Sequence, residues 1–122
     1  MARIKMSAGK YDITIDQGSD FKLTLVIKDG DAVRNLDGHF ARGHLRASMD
    51  TAQHWAFDFT DSSYNSSGTL VMKMANDVVA NNGNTALSEG NYFYDVEIYT
   101  SGDATVERIL QGKAKVTREV TR

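Results

Sequence analysis

The chain of 122 residues contains no cysteine and no proline. The first absence excludes disulfides, a thiolate nucleophile and cysteine-ligated zinc together. It suits a reducing compartment. The second is unusual for a chain with so many turns, and the residues offer no physical reason for it. Long hydrophobic runs are missing as well, the longest being far short of a membrane span. Met1-Ala2-Arg3-Ile4-Lys5 opens basic, but no apolar run follows, so no secretory signal is expected. Asn65-Ser66-Ser67 is a formal glycosylation sequon and carries little weight without such a signal.

What is present is the composition of a soluble globular domain, 41% hydrophobic and 25% charged. The length fits one domain with one core. Charge is unevenly placed. The net charge is −2, yet residues 1–10 carry +3 (Arg3, Lys5, Lys10) and residues 113–122 another +3 (Lys113, Lys115, Arg118 and Arg122 against Glu119), leaving −8 on residues 11–112. Basic ends on an acidic body can dock on an acidic neighbour. The plainer reading is that they are solvated strand ends.

Period-two alternation recurs along the chain and predicts strands. Tyr11, Ile13 and Ile15 alternate with Asp12, Thr14 and Asp16; Phe21, Leu23, Leu25 and Ile27 follow. After the turn at Asp29-Gly30-Asp31 come Ala41, Gly43 and Leu45, then Trp55, Phe57 and Phe59, then Leu70, Met72 and Met74. Tyr92, Tyr94, Val96 and Ile98 form the next inward set. Past Ser101-Gly102-Asp103 the last run takes Val106, Arg108, Leu110, Ala114 and Val116, with Gly112 inside it marking a bulge or bend. About seven strands with short polar connections fit an immunoglobulin-like sandwich or a related small barrel. One segment, Ala75 to Asn81, predicts a short helical crossover capped by Asn76 and stopped at Asn82-Gly83. The expected organisation is a basic arm over residues 1–10 and a single β-sandwich over 11–122.

Few residues suggest chemistry. His39, His44 and His54 lack metal-ligand spacing, and Arg42 and Arg46 flank His44 on its strand face. They read as surface or rim histidines. Asp58, Asp61, Asp95 and Glu97 can pair across strands, but Asp95 and Glu97 are two apart on one polar face rather than astride a cleft. No nucleophile elbow, phosphate loop, dinucleotide fingerprint or calcium loop is present. No catalytic residue, metal or cofactor is expected. Arg42, His44 and Arg46 form a basic stripe too small for a polyanion site. Phe93 and Tyr99 fall on the polar phase of their strand and are candidate anchors for a partner.

Several motifs carry a family resemblance. The stretch from Asp12-Ile13-Thr14-Ile15 through Gln17-Gly18 to Phe21 resembles the "D-I-x-I-x-Q-G-x-x-F" opening of small phage tail-region proteins. Leu36, Gly38, Ala41-Arg42 and Leu45-Arg46 resemble the next element. Gly90, Tyr92, Tyr94-Asp95 and Ile98 resemble "G-x-Y-x-Y-D-L-x-I", and Arg108, Leu110, Gly112, Ala114 and Val116 the closing strand. The chain is also similar to the immunoglobulin-like N-terminal domain of upper baseplate proteins of tailed phages. The fibre-like extension of baseplate adaptors does not follow the last strand, so the resemblance implies a free-standing domain.

It further implies a virion structural protein, made in the bacterial host cytoplasm and built into the tail, baseplate or fibre-attachment region. Partners would be other virion proteins, met in several copies of a symmetric assembly and without nucleic acid or membrane. Docking would use the strand edges and the basic ends: Arg3, Lys5, Lys10, Lys113, Lys115 and Arg118, with Phe93 and Tyr99. Competing expectations are a capsid decoration protein, a carbohydrate-binding module with Phe93 and Tyr99 as its platform, and, last, a small hydrolase.

Overall fold

A computed structural model of the chain describes the backbone of residues 2–5 and the whole of residues 9–81 and 85–118. All seven alternating stretches become strands or bridges, and they collect into two mostly antiparallel sheets that pack as a β-sandwich. The first sheet holds β1 (Ala2–Lys5), β4 (Phe21–Asp29), β5 (Ala32–Val33) and β8 (Thr69–Met74). The second holds β2 (Gly9–Lys10), β3 (Ile13–Asp16), β6 (His39–Arg46), β7 (Trp55–Ala56), β9 (Gly90–Thr100) and β10 (Val106–Thr117). Its spatial order runs from β2 and β3 through β10, β9 and β6 to β7.

The inward phases of the alternation meet between the sheets. Leu25, Ile27, Leu70 and Met72 come from the first sheet and Leu45, Val96, Ile98 and Leu110 from the second, all buried. Trp55 and Tyr92 pack in a T shape with ring centres 5.6 Å apart, and the Trp55 indole nitrogen donates to the Thr85 carbonyl at 3.1 Å, so the polar handle of this large ring is satisfied. Tyr92 does the same at the start of β9: its hydroxyl donates to the Ser88 carbonyl at 2.8 Å. At the β4–β5 turn, Gly30 takes a left-handed φ of 65° that a side chain would resist.

Several expectations need correction. The segment 75–81 is not helical: Asn76 and Asp77 form a turn and Val79 bridges to Ala86. Asp20 Oδ1 accepts from both the main-chain and side-chain nitrogens of Asn76, which fixes a turn rather than a helix start. Two β-branched residues then favour extension. The segment still leads from β8 in one sheet to β9 in the other. A second crossing is made at 57–58, where the Phe57 amide bonds to Gly43 in the second sheet and Asp58 pairs with Lys73 in the first.

The bulge in β10 lies at Ile109, between Arg108 and Leu110, and not at Gly112. Ile109 and Leu110 are consecutive and both buried, so the extra residue inverts the phase. Val106, expected inward, is therefore exposed opposite Tyr99.

Gly112 serves another purpose. It pairs regularly with Tyr94, and a Cβ added to it would lie 2.2 Å from the Tyr11 carbonyl oxygen. That carbonyl accepts a hydrogen bond from the buried Tyr94 hydroxyl. One residue on, the Asp12 carboxylate accepts the Lys113 amide at 3.0 Å. The parallel ladder of β2 and β3 on β10 is thus interrupted at Tyr11-Asp12 by side-chain bonds, and Tyr11, expected inward, is turned to the surface.

Of the expected arm, residues 2–5 and 9–10 are strands of the sheets. β1 runs parallel to β4 with Ala2 opposite Leu25, and β2 runs parallel to β10. Met1 and residues 6–8 lie outside the described residues.

Replacing Gly112 by Val should cost about 3 kcal/mol, since the backbone of Tyr11 must retreat from a core position. Urea denaturation measures it. Gly30→Asn, where nothing lies within 4 Å, should cost well under 1 kcal/mol because asparagine tolerates the left-handed region. Equal losses at both sites would show that the approach of Tyr11 is not what demands glycine. Tyr94→Phe should cost about 1–2 kcal/mol by leaving the Tyr11 carbonyl without its donor.

Candidate interaction groove

The residues not used in the core line up on the outer face of the second sheet in cross-strand rows. Phe40, Tyr99 and Val106 form one row across β6, β9 and β10; Arg42, Glu97 and Arg108 form the next. His44, Asp95 and Gln111 follow, then Arg46, Phe93 and Lys113. Each row is set by the period of two and by the bulge at Ile109, which places Arg108 outward.

The rows differ in charge balance. Arg42 donates to Glu97 at 2.9 Å and reaches Asp103 at 3.3 Å, and its guanidinium lies 4.5 Å from the centre of the Tyr99 ring. Arg108 and Asp95 pair at 3.4 Å. At the other end no carboxylate meets Lys10, Arg46 or Lys113 among the described residues. Arg46 instead donates to the Thr51 carbonyl at 2.7 Å, which leaves its charge unneutralised.

These three cations stand around a concave groove of about 670 Å³, open on one side, between the edge strand β2 and the start of the loop after β6. Exposed apolar side chains line it: Tyr11 at 40% exposure, Phe93 at 37% and Met49 at 75%. The kink at Tyr11-Asp12 forms one wall.

Of the residues singled out in the sequence, Lys10, Phe93 and Lys113 come together here. Tyr99 does not. It lies six residues from Phe93 along β9, about 20 Å away, half-buried under Arg42 and packed on Phe40 at 5.8 Å. The two aromatics therefore do not form one flat platform. Lys115 is exposed on the same face opposite Asn91, and Arg118 is exposed just beyond β10. Arg3 and Lys5 sit in β1, and their side chains lie outside the described residues.

The sequence reading missed Tyr11, Arg46, Met49 and Arg108 as groove residues. Arg46 had a signal, since it shares the outward phase of β6. Tyr11 carried the opposite signal, and Met49 sits in a loop with no periodicity to read. Asp95 and Glu97 are outward as expected and are bound to arginines rather than to each other.

At the groove's edge, His44 and His54 stack with ring centres 3.9 Å apart and planes 26° from parallel. The His54 Nδ1 lies 3.1 Å from the Ala52 carbonyl and so donates to it. Burial pushes the His44 pKa down, helped by His54 and Arg46 and opposed by Asp95 and Glu97. No cluster of three or more His, Cys, Asp or Glu able to hold a metal occurs among the described residues. Compared with known proteins, the sequence matches no family model and no curated protein.

Because the folded chain disfavours protonated His44, the unfolded chain binds the proton more readily. The resulting stability is complete above the ordinary histidine pKa of 6.5 and declines as pH falls below it toward the lowered folded value. Thermal melting from pH 7.5 to 5 should show this decline, and His44→Gln should flatten it. An unchanged slope in that variant would place the titration elsewhere.

Proposed function

We propose that the chain is an immunoglobulin-like assembly module of a tailed-phage particle, acting in the tail, baseplate or fibre-attachment region by binding neighbouring virion proteins and not by catalysis. The observation that carries the binding role is the groove: exposed Tyr11, Met49 and Phe93 beside three cations that nothing in the described chain neutralises. Apolar residues rimmed by charge are the usual make-up of a protein-binding surface.

The immunoglobulin-like reading is supported by strand order. β6, β9 and β10 form one sheet flanked by β7, and β4 and β8 form the other, joined by a bridge of Ser63 to Thr69. This corresponds to the division of strands in that fold. Tyr92, bonded back to Ser88, has the geometry of the fold's tyrosine corner. Two residues later, where disulfide-bonded members carry a cysteine, Tyr94 takes the inward place.

The phage reading rests on the motif resemblance. Support comes from where the motif residues lie: Asp12, Tyr94, Asp95, Arg108 and Gly112 all border the groove. Repetition in a particle would let a modest interface per copy give firm attachment.

Mass spectrometry of purified particles, with immunogold imaging to locate the chain, tests the proposal. The expected result is a fixed copy number at one site on the tail. A chain present in infected cells and missing from virions would overturn it; gold confined to the capsid would move the module to the head. Arg3→Gln with Lys5→Gln keeps β1 and removes its charge, so unchanged incorporation of that variant would exclude the N-terminal cations from docking.

A further inference from the structure

We propose that the groove on the outer face of the second sheet binds an acidic protein segment bearing one aromatic or aliphatic anchor residue. This deepens the assembly reading and rests on it for biological context. The groove is bordered by four cations, Lys10, Arg46, Arg108 and Lys113, against two carboxylates. Both carboxylates are already engaged, Asp95 by Arg108 and Asp12 by the Lys113 amide. The local balance is therefore positive on a chain whose overall charge is −2. A ligand that neutralises Lys10, Arg46 and Lys113 supplies what the chain does not.

The apolar lining narrows the class. Phe93 sits in the row between Arg46 and Lys113, so an anchor set on its ring has a cation on either side. Met49 is long and unbranched and can close over side chains of different shape. Phe93 and Tyr99, six residues apart on β9, do not form the flat aromatic platform expected of a sugar site. A nucleic-acid strand would need more cations along its phosphates than the four that border this groove. From β2 across β10 and β9 to β6 spans about 14 Å, the length of about four extended residues. The occupant is accordingly a short stretch with carboxylates on both sides of a Phe, Leu or similar residue.

Selection from a random dodecapeptide library on the immobilised full chain tests this directly. Selected peptides should converge on two or more Asp or Glu flanking one apolar residue. The synthesised consensus should lose at least tenfold in affinity on Lys10→Glu with Lys113→Glu, and about tenfold on Phe93→Ala. All three side chains are exposed, and unchanged melting profiles verify folding. Raising salt should weaken binding to the parent chain and leave the charge-reversed variant little affected.

Peptides without acidic enrichment, or a consensus that binds the charge-reversed variant equally, overturn the inference. So does tighter binding of a thymidine dodecamer or a heparin dodecasaccharide with the same dependence on Lys10 and Lys113, since the site would then be one for polyanions. Failure here with the chain present in virions removes the occupant and leaves the assembly role. Peptide binding by a chain missing from virions does the reverse.

Discussion

The pairing of β2 and β3 with the last strand, β10, is the constraint on which the rest of the structure depends. It is secured at one step by three distant residues. Asp12 takes the Lys113 amide, Tyr94 donates to the Tyr11 carbonyl, and Gly112 leaves the space in which that carbonyl lies. Each compensates for what another disturbs. A carboxylate drawn into the ladder would strand the Tyr11 carbonyl next to the core, where an unpaired polar group is costly. The Tyr94 hydroxyl meets that need, and burial, with Asp12 and Tyr11 close by, raises its pKa and holds it protonated as a donor. Any side chain at position 112 would separate the pair.

From this step follow both the closure of the sandwich and the shape of its outer face. Residues 2–5 cover β4 in the first sheet, and residues 9–16 cover β10 in the second, so one short stretch protects an edge of each. Exposed strand edges invite pairing with other chains, and covering them is a general remedy. The interruption that fastens this stretch also turns Tyr11 outward and raises a wall beside Phe93. A device needed for folding thus forms a cavity as its by-product.

Much of the fold was legible because period-two alternation reports a physical fact, one face of a strand in the core and the other in water. The inward phases of β4, β6, β8 and β9 were readable residue by residue for that reason. The failures fall where something interrupts the period. Ile109 adds a residue that no composition signal announces, and Gly112, which looked like the irregularity, is regular in its pairing and special in what approaches it. Tyr11 follows the alternation in sequence and leaves it in space, because Asp12 competes with the backbone for a hydrogen bond. The crossover at 75–81 was read from a capping residue whose side-chain and main-chain amides are in fact bound by Asp20, 56 residues away. The groove was half legible: phase alone placed Phe93 and Lys113 outward, but their union with Lys10, Arg46 and Met49 is a product of register and of a loop.

The proposed interaction surface lies on a face of the second sheet rather than at a strand edge. β1, β2 and β3 are themselves edge cover. On the far side of the second sheet, β7 is only two residues long, and the Ala41 amide beyond it is bonded to the Tyr64 hydroxyl at 3.2 Å. A partner strand pairing with β6 there would have to displace the Tyr64 hydroxyl from the Ala41 amide. The face asks for no such exchange. Its paired charges, Arg42 with Glu97 and Arg108 with Asp95, already hold their geometry, while Lys10, Arg46 and Lys113 meet no carboxylate among the described residues and offer charge that an acidic partner could neutralise. Binding energy on this chain is therefore to be sought where the exposed rings and unneutralised cations coincide, around Phe93.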